Sequence, residues 1–538
     1  MLKSLYARPF FFCFLSIAFV TQVFLSIRQN APTADEYAHN IASGLSRLVK
    51  RDFRLNPAQP PLPLMLSSLP LAAMKAKLPL DHPSWTQGNS PEFARQFFDI
   101  YNPDMDRLVF WARLPIAVVG LVFGWAVFFW AKRLLGETAA WIAFVLYAFC
   151  PDLLTHSGLV TGDLCVAFFF FLAVMCFMRY LQKPSFKNTA RTGLFTGLAL
   201  LSKFSAVLLF PVFLGMAFFK WAALRASKAA GFLAVTLLTV WAGYFFEMKP
   251  LLVNTPNPDK KAAVYEKWGG EPLLHFAEKV PVPLATFSSA LAAMVHTRAQ
   301  GTNAYLMGEW SRGGWWYYYF VAFLIKNTIP FLLLIYAGVI LAPRLGLSRE
   351  SAAAVFVAPA LFFALTLSDK AQAGIRYFLP IYPLLILLAA GAGAYLWKKN
   401  RFLKWLVVIL LGWHAAEAVR VSPYTLSYFN EFIGGPKNGY RYLRDSNLDW
   451  GQGLKELGQW AQKNGNPEIA LLYPWPANPS HYKIAWRPLH SGEWREPEQA
   501  VYAISAQTLE DVEWTAQKPP DQTIGHAIWI YDFRGSQR

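Results

Sequence analysis

The sequence predicts an all-α polytopic membrane protein with a small C-terminal α/β domain, and three observations carry that prediction. The 538 residues are 55% hydrophobic and only 15% charged, whereas soluble domains run nearer a quarter charged. Apolar stretches approaching the roughly 20 residues needed to cross a bilayer recur along residues 1–420. Residues 421–538 have a different texture, with short β-type runs between turns. Forty-four Phe, 23 Tyr and 21 Trp exclude disorder, because such a chain has ample apolar surface with which to collapse.

Eleven candidate spans lie near 9–28, 107–131, 138–153, 160–180, 191–202, 204–222, 229–248, 315–342, 352–368, 377–397 and 402–420. The first is as long as a full span and lacks a convincing A-x-A site, so it reads as a span and not as a cleaved signal. Lys and Arg exceed Asp and Glu by 17. Six basic clusters fall in alternate gaps: Lys3/Arg8, Lys132/Arg133, Arg179–Arg191, Lys220/Arg225/Lys228, Arg344/Arg349 and Lys398–Lys404. All six reach one side if the N-terminus is cytoplasmic. That requires residues 191–222 to cross out and back, with the turn near Leu201-Ser202-Lys203-Phe204; a single helix there is the alternative. The basic excess is then a topology signal, and no nucleic-acid partner is expected.

On this topology three segments are extracytoplasmic: 29–106, 249–314 and 421–538. The chain divides into a membrane domain, 1–420, and a C-terminal extracytoplasmic domain, 421–538. In the latter, 469–473 and 528–531 read as strands and 448–463 as a helix with Gly465 as its stop. Cys13, Cys150, Cys165 and Cys176 sit in apolar runs without metal-ligand spacing and read as buried hydrophobes.

Ionisable groups at membrane depth each need a reason. Asp35 and Glu36 follow the first span, with His39 one turn on; Asp163 opens the fourth, after His156. Lys203 sits at the proposed outer turn, Arg376 precedes Tyr377 as the chain re-enters the membrane, and Glu247, Asp369, Lys370 and Glu417 mark span ends. The end charges read equally as interfacial anchors. Lys326 would lie about 16 Å into its span at 1.5 Å per residue, needing an acid or a polar cavity. Neighbouring side chains on a helix diverge by about 100°, so one member of Asp35-Glu36 can face a cleft while the other caps or pairs structurally.

One chemistry uses these parts together: transfer of a sugar from a lipid-linked phosphate to a hydroxyl. The leaving phosphate is a weak base, so cations must stabilise it as it departs, and the acceptor hydroxyl needs one carboxylate as general base. Asp35 supplies the acid, Lys203, Arg376 and Lys326 the cations, and the aromatic run Trp310–Tyr319 a sugar-facing surface.

Several motifs resemble those of the protein O-mannosyltransferase family (glycosyltransferase family 39), whose superfamily includes the bacterial aminoarabinose transferase of lipid A. They are Asp35-Glu36 with Asn56-Pro57-Ala58-Gln59-Pro60-Pro61, His156 to Asp163, and Leu201-Ser202-Lys203. Tyr305 to Trp310 with Gly314 to Tyr318, Arg376-Tyr377, and Tyr428 through Gln452 continue the match in family order. The resemblance implies a GT-C fold, amphipathic helices in the first outer loop, and an inverting transferase using a polyprenyl-phosphate sugar donor. It carries the base onto Asp35, a supporting or acceptor-orienting acid onto Asp163, and phosphate contacts onto Lys203 and Arg376; Glu36 is a further candidate catalytic acid and Lys326 a further candidate cation. His39, Asn56, His156, Glu309, Trp315 and Tyr377 are the candidates for lining the substrate cavity. Relatives often read Asn-Pro-Glu-His-Pro-Pro where this chain has Ala58-Gln59, so any ionisable or metal-linked role there is lost or moved. Metal use differs across such enzymes, and a divalent cation stays open.

The expected protein is therefore a bacterial inner-membrane hexosyl- or pentosyltransferase whose acceptor is a hydroxyl on protein, lipid A or another envelope glycan. A flippase or transporter of lipid-linked glycans, or a non-catalytic envelope-assembly scaffold, is the alternative. The first predicts a polar path to the inner face; the second predicts that Asp35 is dispensable.

Overall fold

A computed structural model describes residues 2–218, 220, 226–252 and 258–535. Among them, seven helices are long and apolar enough to cross a membrane: Arg8–Gln29, Met105–Leu135, Asp163–Gln182, Ala226–Gly243, Arg349–Thr366, Ile375–Lys399 and Arg401–Val421. Two more expected spans are bent pairs, Glu137–Ala148 with Pro151–Ser157 at 63° and Tyr318–Lys326 with Ile329–Ile340 at 117°. The remaining two are the shorter Phe186–Leu200 and the short apolar run Phe204–Ala217. The end of the expected 204–222 segment, with Arg225, lies outside the described residues. The eleven expected segments, some of them short, thus correspond among the described residues to seven long helices, two broken ones and two short ones. The protein is a multi-pass membrane protein.

Glycine contacts fix the direction of the two short helices. A Cβ on Gly193 would lie 2.8 Å from the Phe232 carbonyl, and one on Gly197 2.5 Å from Thr239 Cβ. Gly243 in turn meets the Leu201 side chain at 2.4 Å. Positions 193, 197 and 201 therefore climb beside 232, 239 and 243, so Phe186–Leu200 and Ala226–Gly243 run parallel, small residues allowing the close approach. Phe204–Ala217 must return between them, as the out-and-back reading requires.

The basic clusters gather at one end of the helical bundle. Arg8 pairs with Glu137 at 3.1 Å, Lys220 with Glu350, and Arg179 and Arg133 lie over Trp130. The opposite end carries the long connections. Residues 29–106 contribute the helices Ile41–Lys50 and Pro61–Ala73, then two short helical turns. Residues 249–314 contribute Ala285–Gln300 and a hairpin pairing Ala304–Leu306 with Glu309–Ser311.

Beyond Val421 the chain does not leave the bundle at once. Asn430 donates to the carbonyls of Leu324 and Asn327 at 2.6 and 2.7 Å, and its own N–H to that of Ile325 at 2.9 Å. The break before Pro330 frees these carbonyls, which cannot stay unpaired in a membrane; residues 425–453 supply their donors. A five-stranded sheet follows, in the spatial order Trp486–Pro488, Ile469–Leu472, Val501–Ser505, Ile528–Asp532, Gln522–Ile524. Its first two pairings are parallel and its last two antiparallel. Side chains alternate as strand geometry dictates: Ile469, Val501, Ala503 and Ile530 join Leu454 and Leu457, and with them Tyr37, Phe97 and Phe98 of the first loop. The sheet thus shares a core with residues 29–106.

The expected helix 448–463 begins only at Leu454. Before it, Asp449 accepts the Gly451 N–H at 2.9 Å, Gln452 accepts the Trp450 N–H at 2.7 Å, and Gly451 stands at φ 96°. Such side-chain to backbone bonds compete with helix.

Candidate active site

The adjacent carboxylates Asp35 and Glu36 have opposite environments. Glu36 is fully buried and bidentate to Arg113, at 2.9 Å to Nε and 2.7 Å to Nη2. It also accepts the N–H groups of Thr33 and Val160, at 2.9 and 2.8 Å. Burial works to raise its pKa, but the Arg113 charge and these donors outweigh that and hold the carboxyl below the ordinary range. Arg113 donates further to the carbonyls of Asn30 and Ala31 at 2.8 and 2.9 Å, so the pair is saturated. Glu36, a candidate catalytic acid from sequence, is a tie between the first loop, the second span and residue 160. It has no face toward a cleft.

Asp35 is the open member. Its side chain is 29% exposed, and Oδ2 lies 3.4 Å from Nη1 of Arg376. Backbone bonds from Ala31 to Gln452 and from Ala34 to Trp450, at 3.0 and 2.9 Å, pin its turn to residues 450–452. Arg376 also approaches Asp163 at 4.0 Å, and Asp163 is bound by the Lys203 ammonium. Gly162 makes this pairing possible, since a Cβ there would stand 2.4 Å from the Ser202 carbonyl. The turns carrying Asp163 and Lys203 touch backbone to backbone. Tyr377 completes the cluster, with Lys203 Nζ 4.0 Å and the Arg298 guanidinium 4.8 Å from its ring centre. Trp450 lies 4.3 Å from the Arg376 guanidinium.

The structure thus brings Asp35, Asp163, Lys203, Arg376 and Tyr377 together from four separated segments. His156 is buried within electrostatic reach of Asp163, Lys203 and Arg376, and its Nδ1 has no hydrogen-bond partner among the described residues. Other candidates fall elsewhere. Lys326 does not stand midway along a continuous span; it ends a nine-residue helix at the break, 1% exposed, donating to the carbonyls of Leu426 and Asn447 at 2.8 and 2.6 Å. Those bonds give it a part in holding residues 426–447 against the break. His39 is 3.4 Å from Ser90, and Asn56 donates to Asn40 at 3.0 Å while standing at φ 54°. Glu309 sits on the exposed hairpin, and Trp315 is held through its backbone by Gln372. Among the described residues none of these four is hydrogen-bonded to the charged cluster.

Sequence reasoning missed Arg113 and Arg298, and placed Asp445 and Trp450 in a matching motif without giving either a role in the site. An arginine inside the apolar run 107–131 was the available signal for Arg113. Arg298 is paired with Asp369. Asp445, at φ 57°, is half-buried within electrostatic reach of Arg376 and Asp35, and its partial removal from water pushes its carboxyl above the ordinary range.

Among the described residues no group of three or more His, Cys, Asp or Glu side chains is arranged to hold a metal ion. Ala58, at the family's Glu-His position, lines a cavity of about 170 Å³ with Thr286, Ser289 and Thr297, which offers hydroxyls and no carboxylate.

Chemically, the cluster combines one accessible carboxylate with two cations that are already charge-matched by acids. Such a site can accept a proton at Asp35 while presenting positive charge a few ångströms away. No curated protein sequence is a significant match to the chain. Among solved structures, ArnT from Cupriavidus metallidurans bound to undecaprenyl phosphate aligns at 13% identity over 99% of both chains, with a TM-score of 0.46. AglB from Archaeoglobus fulgidus, in complex with an inhibitory peptide and a dolichol-phosphate, aligns at 14% identity, covering 84% of this chain and 58% of that one, with a TM-score of 0.45. Residues 105–244, which carry Arg113, Asp163 and Lys203, match the family described as dolichyl-phosphate-mannose-protein mannosyltransferase, in agreement with the resemblance carried by the sequence motifs.

Proposed function

We propose that the protein is an inverting glycosyltransferase that moves one sugar from a polyprenyl-phosphate donor to a hydroxyl acceptor. The carrying observation is the half-open Asp35 carboxylate, 3.4 Å from Arg376 in a cluster that also holds Lys203. The family match over residues 105–244 supports the same reading.

In this mechanism Asp35 takes the acceptor proton as the oxygen attacks the anomeric carbon. Arg376 and Lys203 stabilise the departing phosphate, which as a weak base needs charge and no proton. Lys203 carries three N–H donors, only one of which is needed for Asp163. Asp163 is a positioning residue, holding Lys203 and Arg376 on one side of the cleft. One base and a single displacement give inversion. The donor's lipid tail lies in the bilayer beside the bundle.

The basic end faces the cytoplasm and the charged cluster the outside of a bacterial inner membrane, by the positive-inside asymmetry. The membrane domain is 1–420 and the extracytoplasmic domain 421–538, with 421–453 serving as the seam between them.

The test is mass spectrometry of envelope glycolipids and glycoproteins from cells lacking the protein, carrying it, or carrying Asp35→Asn. A sugar-sized mass lost in both the deletion and the variant identifies sugar and acceptor together. Full rescue by Asp35→Asn refutes the proposal in favour of a flippase or scaffold.

A further inference from the structure

A second cleft, of about 350 Å³, opens between the first loop and the C-terminal sheet. Arg95 and Asp99 contribute one wall, and Tyr473, Trp475, Asn478 and Trp486 the other. Its floor is fixed: Asp99 accepts the Tyr37 hydroxyl at 2.7 Å and meets His481 Nε2 at 2.9 Å, clamping the two units together. A packed aromatic layer links the cleft wall to the charged cluster. Trp475 and Ala34, the residue before Asp35, both pack against the small apolar cluster of Leu159, Leu426 and Trp450, and Trp450 lies under Arg376.

The wall chemistry selects among ligands. Ionised Arg95 and Asp99 disfavour an acyl chain, which would have to desolvate them. A peptide strand adding beside this cleft would meet the edge strand Trp486–Pro488, where Pro488 removes a ladder donor. Flat aromatic surfaces beside a few fixed polar groups suit a ring that is apolar on its faces and hydroxylated at its rim. We propose that this cleft is a carbohydrate subsite, binding a pyranose unit of the acceptor glycan one step removed from Asp35. The assignment to the acceptor rests on the transferase reading; the binding of sugar does not.

Full-length protein in nanodiscs is tested by saturation-transfer NMR against methyl glucoside, methyl mannoside, methyl N-acetylglucosaminide, maltose, cellobiose and chitobiose. Wild type and Asp35→Asn should both saturate ring protons of at least one of these. The signal should fall roughly fivefold or more in Trp486→Ala, and return in Trp486→Phe. Trp486 is 40% exposed on an edge strand, so its truncation leaves the core intact. No saturation of any probe in wild type, or an undiminished signal in Trp486→Ala and Trp475→Ala, overturns the proposal. If sugar binding survives but Asp35→Asn transfers normally, the transferase reading has failed and the cleft stands. Asp35-dependent transfer without sugar binding means the converse.

Discussion

Two adjacent carboxylates should respond to mutation in opposite ways. Glu36→Ala strands the Arg113 guanidinium, fully buried and left with main-chain carbonyls alone. Breaking a buried pair by removing one partner costs about 3–5 kcal/mol, and the orphaned Val160 N–H adds about 1–3 kcal/mol. At 1.4 kcal/mol per power of ten, the pair alone shifts the folding equilibrium by roughly two to three and a half powers of ten. Asp35 makes one 3.4 Å contact with a 29% exposed side chain, and an ion pair of that kind is worth about 0–1 kcal/mol. Asp35→Asn should therefore keep the wild-type melting temperature while transfer falls about 10²–10⁴-fold, the usual size of a general-base contribution. The assay is size-exclusion chromatography of detergent-solubilised protein after graded heating, alongside envelope mass spectrometry at matched expression. A Glu36→Ala protein that survives heating like wild type would refute the assigned structural role. Normal transfer by Asp35→Asn would refute the assigned base.

Three further outcomes are expected. Lys203→Ala and Arg376→Ala should each lower the product mass about 10²–10³-fold, the scale of losing one stabilising donor; unchanged product would make them anchors. Gly162→Ala should disrupt transfer although it touches no substrate, because its Cβ would meet the Ser202 carbonyl at 2.4 Å and separate Asp163 from Lys203; activity equal to wild type would show that the two turns tolerate separation. Asp449 is held up at about 6 by burial, despite bonds from the Ser505 hydroxyl and the Gly451 N–H. Between about pH 4 and 6 the folded state thus binds more protons than the unfolded one, and Asp449's contribution to stability is lost as pH rises through about 6. Melting temperatures from pH 4 to 7.5 should show this loss in wild type and a flatter profile in Asp449→Asn; parallel profiles would refute the assignment.

Much of the architecture was legible because it rests on local composition. Helix positions followed from runs of apolar residues, and the gathering of Arg8, Arg179, Lys220 and their neighbours at one end followed from alternation of charge. The short crossings were legible for the same reason: the topology demanded a turn near Lys203, and the contacts of Gly193, Gly197 and Gly243 require it. The breaks were not legible. Tyr318 to Ile340 is one apolar run in sequence, and its 117° bend is stabilised by Asn430, about a hundred positions later. Lys326 sits at that break, so its partners, the carbonyls of Leu426 and Asn447, could not be read from the run itself.

The sequence by itself determined that this chain lives in a membrane, which end carries the basic clusters, and that Asp35, Asp163, Lys203 and Arg376 belong to one polar face. Composition and period are properties of neighbours along the chain, and they suffice for those conclusions. The family resemblance already pointed to Asp35, but only the tertiary structure shows why Glu36 is sealed and Asp35 open, because their difference is Arg113, 77 positions away from Glu36. The tertiary structure likewise decided that residues 425–453 close the broken span and that the C-terminal sheet shares its core with the first loop. Those outcomes depend on where distant donors and charges meet, and burial sets their strength: the same carboxylate is a fixed strut when sealed against a guanidinium and an available base when left partly open.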